Sequence, residues 1–202
     1  MKKQTAPKGD TRLKMVQTAF DLFYKQGVNA TSVDEILEKS ETGKSQFYYY
    51  FKSKEGIVQA VLAYFYDLLK NNKLPGKHTF DSWEDLENWF RFFITVQKGI
   101  NCERSCPIAT IGNDLTNDQD LLRQDIRLIY RFSRQALSKF FAGVKVKGEI
   151  SSSIDPEALA DFCFIVVQGG LLISKVERKL GSFENAVEHA LSYLKSLKTF
   201  KK

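Results

Sequence analysis

The chain has 202 residues and 23.1 kDa, with 30 Lys and Arg against 24 Asp and Glu, a net charge of +6 and a pI near 9.1. Apolar residues make up 43% and aromatics 13%, with four Pro and twelve Gly; such a chain can bury a core, which excludes disorder, collagen-like repeats and low complexity. No apolar run approaches the roughly 20 residues that cross a bilayer, and the Met1-Lys-Lys start lacks an apolar leader segment, so a soluble, cytoplasmic protein with no membrane partner is expected.

Taken in chain order, the apolar spacing predicts helices almost throughout. Leu13, Val16, Ala19, Phe20 and Phe23 form one stripe over about 11 to 26, with Asp10 as N-cap and Gly27 just past the end. Thr31 or Ser32 caps a short helix over 33 to 39, and a Ser40-Glu-Thr-Gly43 turn leads to another at 44 to 50. Ser53 opens a longer helix carrying Ile57, Val58, Val61, Leu62, Phe65, Leu68 and Leu69, which ends at Asn71-Asn72 and Pro75-Gly76. Ser82 caps a helix closed near Gly99. Pro107 starts a short one to about Leu115, and Asn117 a long one with Gly143 past its end. The stretch from Val144 to Ser153 reads as loop, and Val144-Lys-Val-Lys is the one strand-like piece. Asp155-Pro156 starts a helix to about Lys179, and Gly181-Ser182 separates it from the last. The class is all-α, about nine helices: a three-helix N-terminal domain over 1–52 and a larger C-terminal domain over 53–202.

Charge and chemistry narrow the function. Residues 1 to 54 hold ten Lys and Arg and six Asp and Glu, and so carry +4 of the net charge. A basic segment suggests a polyanion partner. Two histidines, His78 and His189, lie more than a hundred positions apart with no ligand-spaced neighbours, so no metal site is expected. No nucleophile–base pair or phosphate loop is legible, and neither enzyme activity nor a cofactor is expected. Three cysteines, Cys102, Cys106 and Cys163, suit a reducing compartment.

Residues 33 to 50 have helix-turn-helix geometry. In that motif the first helix braces and the second lies in the major groove. A seven-residue helix is about 10 Å long, matched to a groove roughly 12 Å wide. Val33, Ile36 and Leu37 point inward against Phe20 and Phe23. The second helix exposes Lys44, Ser45, Gln46, Tyr48 and Tyr49, while Phe47, Tyr50 and Phe51 face the core. Lys44 and the tyrosine hydroxyls suit phosphate oxygens, and Gln46 the edge of an adenine. Gly43 is available for an awkward backbone angle. Lys52 reads as a solvated charge.

The wider run, Gly27-Val-Asn-Ala-Thr-Ser-Val-Asp-Glu-Ile36, then Ser40, Lys44, Phe47-Tyr-Tyr-Tyr-Phe51 and Ser53-Lys-Glu55, closely resembles the signature of the TetR (tetracycline-repressor) family of transcriptional regulators. The resemblance covers residues 11 to 62. It departs at Glu41, where the family usually has Gly, and at Gly43-Lys44-Ser45, where the family has a small residue followed by Lys-Gly. The resemblance implies a DNA-binding repressor acting on an inverted-repeat operator, with phosphate contacts at Thr31 and Ser32, further contacts at Lys44, Ser45, Gln46, Tyr48 and Tyr49, and a phosphate contact at Lys54. Helix N-termini attract anions, which agrees for Thr31, Ser32, Lys44 and Lys54.

For the second half the resemblance implies a homodimer through the last two helices and a small-molecule effector pocket among the central ones. Residues 158 to 176 are apolar nearly all round, which fits either that interface or a buried core helix, and Gly169-Gly170 asks for a close neighbour. Trp89, Phe93 and Phe132 are candidate pocket residues for an apolar or aromatic effector, against the alternative of ordinary packing. Cys106 stands at a helix start near Arg104, both of which favour the thiolate, making it a candidate thiol sensor or a packing residue. Its surroundings, Ser105 to Leu115, resemble a Cys-Pro segment found in one branch of the family. Cys163 reads as an inert core residue. A competing reading is a helical interaction module whose basic start docks an acidic protein or membrane surface.

Overall fold

The computed structural model describes residues 8–199; Met1-Lys-Lys, with its two lysines, lies outside the described residues. Nine α-helices are found there: α1 Lys8–Gln26, α2 Val33–Ser40, α3 Lys44–Phe51, α4 Lys54–Lys70, α5 Trp83–Gly99, α6 Pro107–Asn113, α7 Asp120–Val146, α8 Pro156–Glu177 and α9 Gly181–Ser196. They form two compact units. One takes in the described residues through Asn71 together with Pro107–Ile126; the other takes in Asn72–Cys106 and everything from Arg127.

The first unit is built on α1. Met15, Val16, Ala19 and Phe23 are fully buried against Ile36 of α2, Phe47 of α3 and Ile57, Val61 and Leu62 of α4. Ile108 and Ile111 of α6 complete that core. Phe20 meets the rings of Tyr64 and Phe65 at 6.4 and 6.0 Å. The second unit centres on Leu86, Phe90, Leu137, Phe141, Cys163, Val167, Phe183 and Val187. Its last residues return to pair with the loop after α7: Lys198 bridges Ile150 in antiparallel sense, and Thr199 donates its N–H to the Glu149 carbonyl at 2.8 Å.

The caps explain most helix boundaries. Ser32, Ser53 and Ser82 each accept a backbone N–H from the third residue onward, and Asp155 caps α8 ahead of Pro156. Gly27 ends α1 with φ +89°. Three boundaries differ from expectation. Helix α1 begins at Lys8, so Asp10 lies inside it. Helix α7 begins at Asp120, beyond Asn117. It then runs through Gly143 to Val146, because Phe141 and Val144 are buried on the same face and their packing outweighs one glycine. Gly148, at φ +71°, follows its end, so Val144-Lys-Val is helical and not strand-like.

Helix α8 corrects another expectation. By length and composition alone Pro156–Glu177 is long and apolar enough to cross a membrane. One side, through Leu159, Cys163, Val167, Gly170 and Leu171, is buried in the second unit's core. The helix's Gly170 is required there: a β-carbon would meet the Phe183 ring of α9 at 1.9 Å.

Candidate nucleic-acid interface

The helix-turn-helix is α2, a three-residue turn and α3. Lys44, Ser45, Tyr48, Tyr49 and Lys52 are exposed along one side of α3, while Phe47 and Phe51 are 0% and 5% exposed on the other. Tyr50 is half-buried between the two. The burial pattern fixes the roll of the helix: two phenylalanines one turn apart anchor it, and the polar residues have to point out. Arg12 of α1 stacks its guanidinium over the Phe51 ring at 5.5 Å and adds a cation beside the helix.

The polar residues do not all serve in the same way. Lys44 Nζ stands 3.7 Å from Asp34 Oδ1, both groups well exposed. Phosphate oxygens can take over that lysine in water because the exposed pair is weak. Gln46 is exposed, but its Oε1 accepts the Gly43 N–H at 3.2 Å and completes the helix N-terminus. Reading an adenine with both ends of the amide would break that bond. Tyr48 and Tyr49 are 44% and 65% exposed, with Lys52 Nζ 5.8 Å from the Tyr49 ring. Ser45 is exposed, and Lys54, in the first turn of α4, is half-buried.

Thr31 and Ser32 separate sharply. Ser32 is exposed and caps α2 through Glu35 N at 3.0 Å. Thr31 is 1% exposed, and its hydroxyl donates to the Gly27 carbonyl at 2.7 Å. That hydroxyl is turned inward, so Thr31 holds the loop and offers nothing to a phosphate.

The turn departs from expectation as well. Gly43 has φ −100° and ψ 149°, an extended backbone that any residue adopts. The left-handed angle falls on Glu41, at φ 52° and ψ 43°. Its N–H bonds the Glu38 carbonyl, and its carboxylate pairs with Lys14 at 3.0 Å. The left-handed angle thus falls where the resemblance leads one to expect glycine, and here a non-glycine residue bears its cost.

Sequence reasoning missed Gly56. A β-carbon there would lie 1.9 Å from the Phe51 carbonyl oxygen, so this glycine lets α4 start hard against the end of α3. The signal was legible: Ser53-Lys-Glu-Gly56 puts the smallest residue in the first turn, where Ser53 Oγ accepts its N–H at 3.1 Å.

In the second unit, two of the three candidate pocket residues, Trp89 and Phe93, pack together with ring centroids 5.3 Å apart. Trp89 is 7% exposed and packs on Phe80, Phe90 and Phe93 at 5.0 to 5.9 Å. Phe93 sits half-buried at that core's rim, and Phe132 is half-buried on α7. A 680 Å³ cavity lies elsewhere, lined by Phe80, Phe140, Gly143, Lys139 and Lys147 among others. Cys106, just ahead of Pro107, is half-buried; Cys102 and Cys163 are 4% and 0% exposed. Burial holds the Cys163 thiol up at about 12. Burial, then the nearby Cys106 thiol, raises the Tyr130 hydroxyl well above its usual range.

Comparison with known proteins bears on this arrangement. Residues 16–61 match the profile of bacterial regulatory proteins of the tetR family, and residues 83–190 that of the tetracyclin repressor-like C-terminal domain. The HTH-type transcriptional repressor DhaR of Mycobacterium sp. (strain GP1) is 26% identical over 185 residues, covering 89% of this chain and 91% of that protein. The transcriptional regulator AcuR of Cereibacter sphaeroides is 25% identical over 170 residues, covering 81% and 75%. In fold, the chain is similar to a regulatory protein from Rhodobacter sphaeroides, with a TM-score of 0.72 at 23% identity over 89% of this chain and 98% of that one.

Proposed function

The chain belongs to the TetR family of bacterial regulatory proteins and is a DNA-binding transcriptional regulator, and we propose that it works as a homodimeric repressor on an inverted-repeat operator. The observation that carries this reading is the exposed side of α3, with Lys44, Ser45, Tyr48 and Tyr49 set opposite the buried Phe47 and Phe51. Lys44, Ser32 and Lys54 hold phosphates, Ser45, Tyr48 and Tyr49 meet base edges and backbone, and Gln46 reads a base only after leaving its cap on Gly43. Thr31 acts indirectly by holding the loop ahead of α2. Residues 1–52 serve as the reading domain, and 53–202 bind effector and partner.

One recognition helix makes few contacts, and two-fold pairing places a second about 34–36 Å away on the same face of the duplex. The pairing surface is the side of α8 turned away from its own core. Ile165, Leu172, Ile173 and Val176 are 66%, 46%, 41% and 71% exposed there, on the same side as Gly169, which has open space around it. Exposed Tyr193 extends the patch onto α9. An apolar patch of this kind with a glycine at its centre suits close approach of a second copy. Regulation follows if a small molecule binds the second unit better in the arrangement that does not fit DNA. The protein then works in the cytoplasm, where its operator is. Of the three thiols, only Cys106 is not buried, and a thiol-reactive effector would meet it first.

Selection from random duplexes tests this. The expected result is an inverted repeat bound by a dimer at least 10³-fold more tightly than unselected DNA of equal length. Equal affinity for all duplexes would instead favour a basic interaction module that docks polyanionic or acidic surfaces.

A further inference from the structure

The cavity of about 680 Å³ on the second unit lies outside the aromatic core. None of Trp89, Phe93 and Phe132 lines it, although Trp89 packs on the Phe80 ring at 5.9 Å. One wall is the loop through Phe80 and Asp81, and the other is the C-terminal half of α7. That loop is tied down. Lys77 pairs with Asp81 and Asp85 at 3.1 and 3.0 Å, the Asp81 N–H donates to Asp85 at 2.9 Å, and Phe80 packs on the Phe140 ring at 6.2 Å. The cavity is therefore built into this unit, and its volume suits a small organic molecule.

The α7 wall says which kind. Lys139, Gly143 and Lys147 fall at successive turns on one face, with the two lysines about 12 Å apart along the axis. Gly143 lies inside the helix, where alanine would be more stable, yet no neighbour demands it: a β-carbon there would meet nothing within 4 Å. Its missing side chain leaves free space between the two lysines. Both lysines are exposed, and neither ammonium group forms an ion pair or hydrogen bond among the described residues. The lining's single carboxylate, on Asp81, is already answered by Lys77. Phe80 and Phe140 supply aromatic surface beside this unanswered positive charge.

We propose that this groove binds an aromatic organic anion, with its ring on Phe80 and Phe140 beside Gly143 and its carboxylate or other anionic group between Lys139 and Lys147. A cation would meet two unpaired ammonium groups, and a neutral ring would leave both without a partner. A small inorganic anion would leave the aromatic surface uncovered. The site is additional to the candidate effector pocket around Trp89 and Phe93, and it does not rest on the reading of the chain as a repressor.

The test titrates the full-length protein calorimetrically with 2-naphthoate, with neutral 2-naphthamide and with acetate, at low and high salt. The expected result is that 2-naphthoate binds at least about fivefold more tightly than either of the others, with the preference over the amide shrinking as salt rises. In the double variant Lys139→Gln/Lys147→Gln that preference should all but vanish. Gly143→Leu fills the space between the lysines and should weaken 2-naphthoate at least about fivefold while melting no lower than the wild type. The lysine variant alters only exposed side chains, so it remains informative if Gly143→Leu does not fold. Equal binding of 2-naphthoate and 2-naphthamide, binding of neither, an unchanged preference in the lysine variant, or unchanged affinity in folded Gly143→Leu would overturn the proposal. Operator affinity without probe should be the same in the wild type and both variants, so failure of this site leaves the repressor reading where it stands.

Discussion

The Asp114 carboxylate accepts the backbone N–H of Asn29 at 3.0 Å and stands 2.7 Å from the point that a β-carbon on Gly27 would occupy. The residue just past α6 thus clamps the loop that precedes the bracing helix. Thr31 closes the same loop from within through the Gly27 carbonyl. Because Ser32 follows directly and caps α2, the clamp sets where the reading head begins.

Gly27→Ala should therefore fail on two counts, a strained φ and a collision with Asp114. The expected loss of stability is about 1–3 kcal/mol. Asp114→Ala, which removes one hydrogen bond to backbone, should cost about 1 kcal/mol. Both are measured by urea unfolding, alongside affinity for the selected operator. Wild-type midpoints in both variants would show that the clamp contributes nothing.

At the turn, Glu41→Gly and Glu41→Ala both delete the ion pair with Lys14, so their difference isolates the backbone. Glu41 is left-handed at φ 52°, and the glycine variant should be more stable than the alanine one by about 1–2 kcal/mol. Gly43→Ala, at φ −100° with only Gln46 Oε1 nearby at 3.6 Å, should fold normally. A larger loss in Gly43→Ala than in Glu41→Ala would reverse the assignment.

Asp85 closes the start of α5. Its Oδ2 accepts the N–H groups of Asp81 and Ser82 at 2.9 and 3.0 Å and pairs with Lys77 at 3.0 Å. The Asp81 N–H, then Lys77, holds the carboxyl down from 3.8 to about 2. The folded state thus binds this proton less readily than the unfolded chain. The resulting stability is present above pH 3.8 and lost as pH falls toward 2. Urea midpoints across that window should fall in the wild type and fall less in Asp85→Asn. Parallel curves for the two proteins would remove Asp85 as the cause.

Alkylation of the native protein at pH 8 should label Cys106 alone. Cys163 is buried with its thiol pushed up to about 12, and Cys102 is buried too, so both should react only in denaturant. Mass mapping of the labelled peptides reads the order. Label on Cys163 before Cys106 would contradict the burial pattern.

Local signals made most of this fold legible. Caps at Ser32, Ser53, Ser82 and Asp155 are short-range hydrogen bonds between near neighbours, and the apolar spacing of α1 to α4 reports one buried face. What escaped depends on distant packing. Gly143 reads as a stop until Phe141 and Val144 are seen buried on either side of it. Thr31 resembles an exposed cap until its hydroxyl is found on Gly27. At Glu41 a left-handed residue without glycine leaves no compositional trace. Within the candidate interface, the outward side of α3 was readable because Phe47 and Phe51 must be buried. The double use of Gln46 was not, since it depends on the conformation of the turn.

The most direct measurement is operator affinity against salt for the wild type, Lys44→Ala and Tyr48→Phe, on the selected duplex and on a random one. If α3 lies in the major groove, Lys44→Ala weakens binding to both duplexes and lowers the salt slope by about 1. Tyr48→Phe then weakens the selected duplex more than the random one. Unchanged affinities and slopes in both variants, with the protein still dimeric and folded, would contradict the assignment of α3 as the helix that meets DNA.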